Sequence, residues 1–137
     1  MFFNTNIYQG VKQEIAVEHE HKSIDIAEAS NMNEKLSRIL AELRRYFEAL
    51  YGERLMQLVL YGSQARGDAK PDSDIDVLVI LKEPVDAWKE IDSTGEFIAD
   101  LCLEYNIVIS RNFVSLARFQ QENSPFFINV RREGVLI

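Results

Sequence analysis

Two short apolar runs, Leu55 to Tyr61 and Asp74 to Leu81, flank a polar stretch, Gly62 to Ser73, that contains glycine and proline. Each run has the length of a strand and is too short for an independent buried helix, while the segment between them has the composition of a loop. The chain is therefore expected to build a sheet here, with the loop bringing the second run back beside the first.

The flanking sequence supplies helices for that sheet. Leu36, Leu40, Leu43, Phe47 and Leu50 recur at alternating steps of four and three, which predicts a helix over 32–51 with Asn31 and Glu34 as a capping start. Gly52 stands where a left-handed cap would end it. Pro84 suits a first helical turn, and Trp88, Ile91, Gly95, Ile98 and Cys102 continue the pattern to about Glu104. Ile107 to Val114 is predicted as a third strand, followed by short helices around 115–121 and 126–133 with Gly134 as a stop. Trp88, Phe97 and Phe113 are expected in the core, as is the single cysteine, Cys102. The order of elements predicts an α+β fold, a small mixed sheet with helices packed on it.

A chain of 137 residues with 47% hydrophobic side chains can bury one core. Residues 1–30 show no sustained period and are expected to form an N-terminal extension to a domain spanning 31–137. His19 and His21, in Glu18-His19-Glu20-His21, fit a solvated face better than a metal tract. The net charge of −7 disfavours bulk nucleic-acid binding and leaves nucleotides carried on magnesium open. No apolar stretch approaches the roughly 18–20 residues of a membrane span, and the N-terminus lacks the pattern of a secretory signal, so the expected compartment is the cytoplasm.

The chemistry is concentrated in Leu60-Tyr61-Gly62-Ser63-Gln64-Ala65-Arg66-Gly67-Asp68 and Ser73-Asp74-Ile75-Asp76-Val77. Alternate residues of a strand share a face, so Asp74 and Asp76 would stand side by side while Ile75 and Val77 face the core. Adjacent carboxylates repel, and a hard divalent cation with oxygen ligands relieves that repulsion; magnesium also accepts phosphates as further ligands. Gly62 allows close approach of a phosphate, and Ser63 adds a hydroxyl beside its own N–H. Gly62 to Gly67 has the glycine spacing of a P-loop, but Asp68 and Ala69 replace the required Lys and Ser or Thr. A dinucleotide-binding fingerprint is also absent after the first strand.

Gly-Ser within Gly-Ser-x-Ala-Arg-Gly, followed by Ser-Asp-x-Asp, resembles the minimal nucleotidyltransferases of the DNA polymerase beta superfamily. The motif core covers residues 60–79, and Arg132-Glu133-Gly134 near the C-terminus matches the closing part of the family outline. The resemblance implies a polymerase beta-like fold and magnesium-dependent transfer of a nucleoside monophosphate, AMP from ATP, to a hydroxyl. It implies that Gly62 and Ser63 hold the outer phosphates and Arg66 braces the loop or a phosphate. Asp74 and Asp76 would bind two magnesium ions (Mg2+). The family adds a third carboxylate from a neighbouring strand, and Glu104 is the candidate here, since Asn106 stands where a carboxylate would be natural. Minimal domains of this kind often resemble antitoxins whose partner is a HEPN toxin, which makes such a protein the expected acceptor. The alternative is a weak or inactive nucleotide-binding module that masks its partner by contact.

Overall fold

The computed structural model describes residues 26–70 and 73–137. Helix α1 (Ile26–Tyr51) leads through a 3₁₀ turn (Gly52–Arg54) into strand β1 (Leu55–Tyr61). A helical turn, α2 (Ser63–Arg66), precedes strand β2 (Ile75–Leu81), and the long helix α3 (Ala87–Tyr105) crosses to strand β3 (Ile109–Ser115). Helices α4 (Leu116–Gln121) and α5 (Pro125–Glu133) follow, and strand β4 (Val135–Leu136) is the last element. His19 and His21 lie outside the described residues.

The four strands are ordered β3-β2-β1-β4, with β1 antiparallel to both neighbours and β2 parallel to β3. This is the expected mixed α+β sheet, with β1 at the predicted position and one strand more than predicted. The parallel β2–β3 pair requires a crossover, and α3 supplies it. β4 is only a two-residue pairing, too short for any periodicity to announce.

The strands divide their side chains between two cores. Leu58, Leu60, Ile75, Val77, Val79, Leu81, Ile109 and Phe113 meet Ile39, Leu43 and Phe47 of α1 and Ile98 and Leu101 of α3. On the other face Val59, Leu78, Ile80 and Val114 meet Leu116, Phe119, Phe127 and Val130 from the α4–α5 segment. Gly134 is required where α5 turns into β4, because a Cβ there would lie 2.5 Å from both the Val130 carbonyl oxygen and Val59 Cγ1.

Several local expectations are corrected. Helix α1 begins at Ile26 rather than 32, and its buried line is Ile39, Leu43, Phe47 and Tyr51, at steps of four, so that Leu50 is exposed. Trp88, expected in the core, is 83% exposed. The inward positions at that end of α3 belong to Glu90 and Thr94, polar residues that a hydrophobic pattern cannot register. Glu90 is satisfied by the Tyr51 hydroxyl, which donates to it at 2.8 Å. Arg111 of β3 donates from Nε to Thr94 Oγ1 at 2.8 Å, so the polar groups under α3 have internal partners. Phe113 is buried as expected, whereas Phe97 is only partly buried and stacks on Tyr46 with ring centroids 3.8 Å apart. Cys102 is partly buried at the margin of the core.

Candidate active site

Strand β1 ends at Tyr61, and Gly62 then turns the chain at φ 76, ψ −158 into α2. The polar stretch was expected to be loop throughout, but a four-residue turn gives no periodic signal. Ala65 and Arg66 donate their N–H groups to the Gly62 carbonyl at 3.1 Å, and Gly67 donates to Ser63 at 3.0 Å. The N–H groups of Ser63 and Gln64 open this turn and precede any helical acceptor. Gly67, at φ 76, reverses the chain, and Gln64 Nε2 fastens the far side by donating to the Ser73 carbonyl at 3.1 Å.

The returning chain places Asp76 directly opposite Tyr61 in the β1–β2 register. A Cβ at Gly62 would lie 2.5 Å from Asp76 Oδ2, so the glycine and the carboxylate share one small space. Asp74 precedes the strand and is exposed, while Asp76 is half-buried and Ile75 and Val77 point into the opposite core. Burial raises the Asp76 carboxyl above its ordinary range; the Asp74 charge raises it further, and Arg66 opposes both. Arg66 reaches Asp68 at 3.3 Å and Glu133 of α5 at 3.5 Å, bracing the loop against the second layer. Its guanidinium is held still more firmly in the charged form, first by the hydrogen bond to Asp68.

Gly62, Arg66, Asp74 and Asp76 are thus brought together, with Ser63 at the head of the turn. Glu104 is not. It was expected at the start of the third strand, but it lies in the last turn of α3, exposed, on the helix that packs against the other face of the sheet. The physical reason is Asn106, which takes a left-handed cap at φ 51 and ends the helix, so that β3 starts only at Ile109. The residue beside Asp76 in the parallel register is Ser110, a neutral hydroxyl.

Three further residues on this face escaped sequence reading. Asn112 Nδ2 donates to the Tyr61 hydroxyl at 2.7 Å, and the Phe126 ring meets the Tyr61 ring edge-on with centroids 5.4 Å apart. Tyr61 could have been found from its parity, since it falls on the Asp76 side of the sheet. Asn112 and Phe126 are distant in sequence and gave no signal.

The donor set fits a cation that arrives with its own ligands. Two carboxylates stand close enough for one to raise the other, a repulsion that a hard divalent ion would relieve. Among the described residues no three His, Cys, Asp or Glu side chains gather as a metal-holding group. The remaining ligands would therefore be water and phosphate oxygens, which is the mode magnesium favours. Among the described residues no helix is long and apolar enough to cross a membrane.

Known proteins give the same picture of the fold and its class. Residues 36–124 match the family described as nucleotidyltransferase domain. A chain of Methanocaldococcus jannaschii named "putative protein adenylyltransferase" is 32% identical over 108 residues, covering 75% of this chain and 96% of its own length. A second chain of the same name and organism is 33% identical over 72 residues, covering 53% of this chain and 72% of its own. In fold, the chain is similar to a crystal structure described as a "putative nucleotidyltransferase" from Sulfolobus solfataricus, with a TM-score of 0.51 at 19% identity over 85% of this chain and 88% of that one. The glycine turn abutting a carboxylate strand is thus set in a matching sequence and a matching fold, and the chain belongs to the nucleotidyltransferase domain family, whose members are transferases.

Proposed function

We propose that the protein transfers AMP from ATP, with magnesium, to a hydroxyl group on a protein partner of the HEPN type, acting as an antitoxin in the cytoplasm. The observation that carries this reading is the close approach of the Gly62 turn to Asp76, which sets the backbone at the head of α2 against a carboxylate pair. The name of the Methanocaldococcus jannaschii relatives supports adenylyl transfer to protein. The HEPN partner rests on the resemblance of the Gly-Ser and Asp-x-Asp motifs to minimal antitoxin domains.

In this reading Asp74 and Asp76 hold magnesium, which neutralises phosphate charge when bound. Ser63 and the opening N–H groups of α2 seat the outer phosphates. Arg66, anchored to Asp68 and Glu133, keeps the turn in place and adds positive charge near Asp76. The acceptor hydroxyl gives up its proton to solvent as its oxygen forms a bond to the α-phosphorus, the bond to the bridging oxygen breaks, and pyrophosphate leaves. The protein's contribution is to position these groups.

The test combines the purified chain, magnesium, ATP labelled at the α-phosphate and a HEPN protein. The wild type should label the partner. Asp74→Asn and Asp76→Asn should each lower the rate by more than the roughly 100-fold that loss of an outer-shell partner costs a metal site. If no protein is labelled while the complex forms equally in all three, transfer is ruled out and masking by contact takes its place.

A further inference from the structure

Beside the acidic pair lies a hydroxyl that the proposed reaction does not use. Tyr61 pairs with Asp76 across β1 and β2, and partners in register carry their side chains on one face. Asn112, on β3, pairs with Leu78, one step further along that face of β2. The 2.7 Å hydrogen bond from Asn112 to Tyr61 therefore bridges over β2 between Asp76 and Leu78. It separates the acidic end of the face from the apolar cluster around Leu78, Ile80 and Val59.

The bridge fixes the direction of the phenol. Asn112 donates to the Tyr61 oxygen, so the hydroxyl keeps its own proton to give, and among the described residues that proton meets no acceptor. The Phe126 edge, at 5.4 Å and 89°, holds the ring from the other side and is itself 40% exposed. The result is a fixed, half-buried donor next to the carboxylates, with an aromatic edge beside it.

We propose that Tyr61 is a substrate-contacting residue whose hydroxyl, aimed by Asn112 and Phe126, donates a hydrogen bond to an oxygen of the nucleoside triphosphate held at Asp74 and Asp76. This rests on the reading of the site as a nucleotide site. A triphosphate and its sugar present many acceptor oxygens and few donors, which matches an unspent donor. The acidic pair alone would repel such a ligand, so neutral donors around it carry its orientation.

The experiment is calorimetric titration of the full chain with a magnesium-bound, non-hydrolysable ATP analogue. Tyr61→Phe keeps the ring against Phe126 and removes only the hydroxyl; it should weaken binding about five- to tenfold while leaving Tm unchanged. Asn112→Ala frees the phenol without deleting it and should give a smaller loss. With labelled ATP and an acceptor protein, KM for ATP should rise in Tyr61→Phe and kcat should hold, a split that a packing defect would not produce. Equal affinity in wild type and Tyr61→Phe would overturn this assignment alone. No binding by the wild type would overturn it together with the nucleotide reading.

Discussion

On one face of the sheet, α1 and α3 close over a continuous core in which Phe47, Tyr51 and Phe113 contact one another edge-on or stacked, and the Tyr51–Glu90 and Thr94–Arg111 hydrogen bonds are satisfied internally. On the other face the α4–α5 segment covers Val59, Leu78, Ile80 and Val114, while Tyr61, Asp76, Ser110 and Asn112 remain at the uncovered end. The first face gains free energy from burial, and its buried polar side chains, Glu90 and Thr94, are hydrogen-bonded internally. The second leaves a carboxylate half-buried beside a like charge, an arrangement that is unfavourable for folding and useful for holding a cation. Both faces of the sheet thus carry a core, and the half-buried carboxylate stands at the uncovered end of the second.

That division can be broken or sharpened by substitution. The largest effect is expected at Phe47, which is fully buried. Phe47→Ala should lose about 3–5 kcal/mol of stability in urea unfolding, yet where the variant is still folded its nucleotide affinity should match the wild type. A changed affinity would mean that the faces are coupled. Next comes Ser110, the neutral neighbour of Asp76. Ser110→Asp should raise affinity for manganese in the absence of nucleotide by about tenfold, measured by titration, whereas Glu104→Gln, on the far helix, should change it by nothing measurable.

The smallest effect concerns pH. Because burial and Asp74 raise the Asp76 carboxyl in the folded state, folding favours its protonated form, and stability is lost as pH rises from the ordinary carboxyl range through the raised value. Asp76→Asn removes that loss. Without metal it should melt slightly above the wild type at neutral pH, and the gap should close on acidification. A variant that melts lower at neutral pH would show that the carboxylate stabilises the free protein.

Strand β1 was legible because a largely apolar run, broken only by Gln57, ends at a glycine, and the opposite facings of Ile75 and Asp76 followed from strand geometry alone. Two short elements, α2 and β4, were not legible, since they are fixed by tertiary contacts rather than by periodicity. Trp88 was misplaced in the core because a hydrogen-bonded glutamate, Glu90, occupies an inward position at that end of α3, which a hydrophobic pattern cannot register. Asn106 misled in another way, since an asparagine that ends a helix reads in sequence like a polar residue opening a strand. At the site, Gly62, Ser63, Arg66, Asp74 and Asp76 were visible as local spacing. Ser110, Asn112 and Phe126 depend on the β2–β3 register and on the placement of α5, which spacing does not encode.

Strand β2 has a consequence for how such a chain can change over generations. Its odd-numbered residues lie beneath α1 and α3, and its even-numbered residues begin with the carboxylate of Asp76. Inserting one residue ahead of Asp76 within the strand would exchange the residues that follow, driving an acid under the helices and turning Val77 to the face that Asp76 now occupies. Drift by insertion would thus remove the protein altogether, while replacement of Asp76 would leave a folded chain without its acid. Silent but intact descendants should accordingly differ from this sequence in β2 by substitutions and never by length.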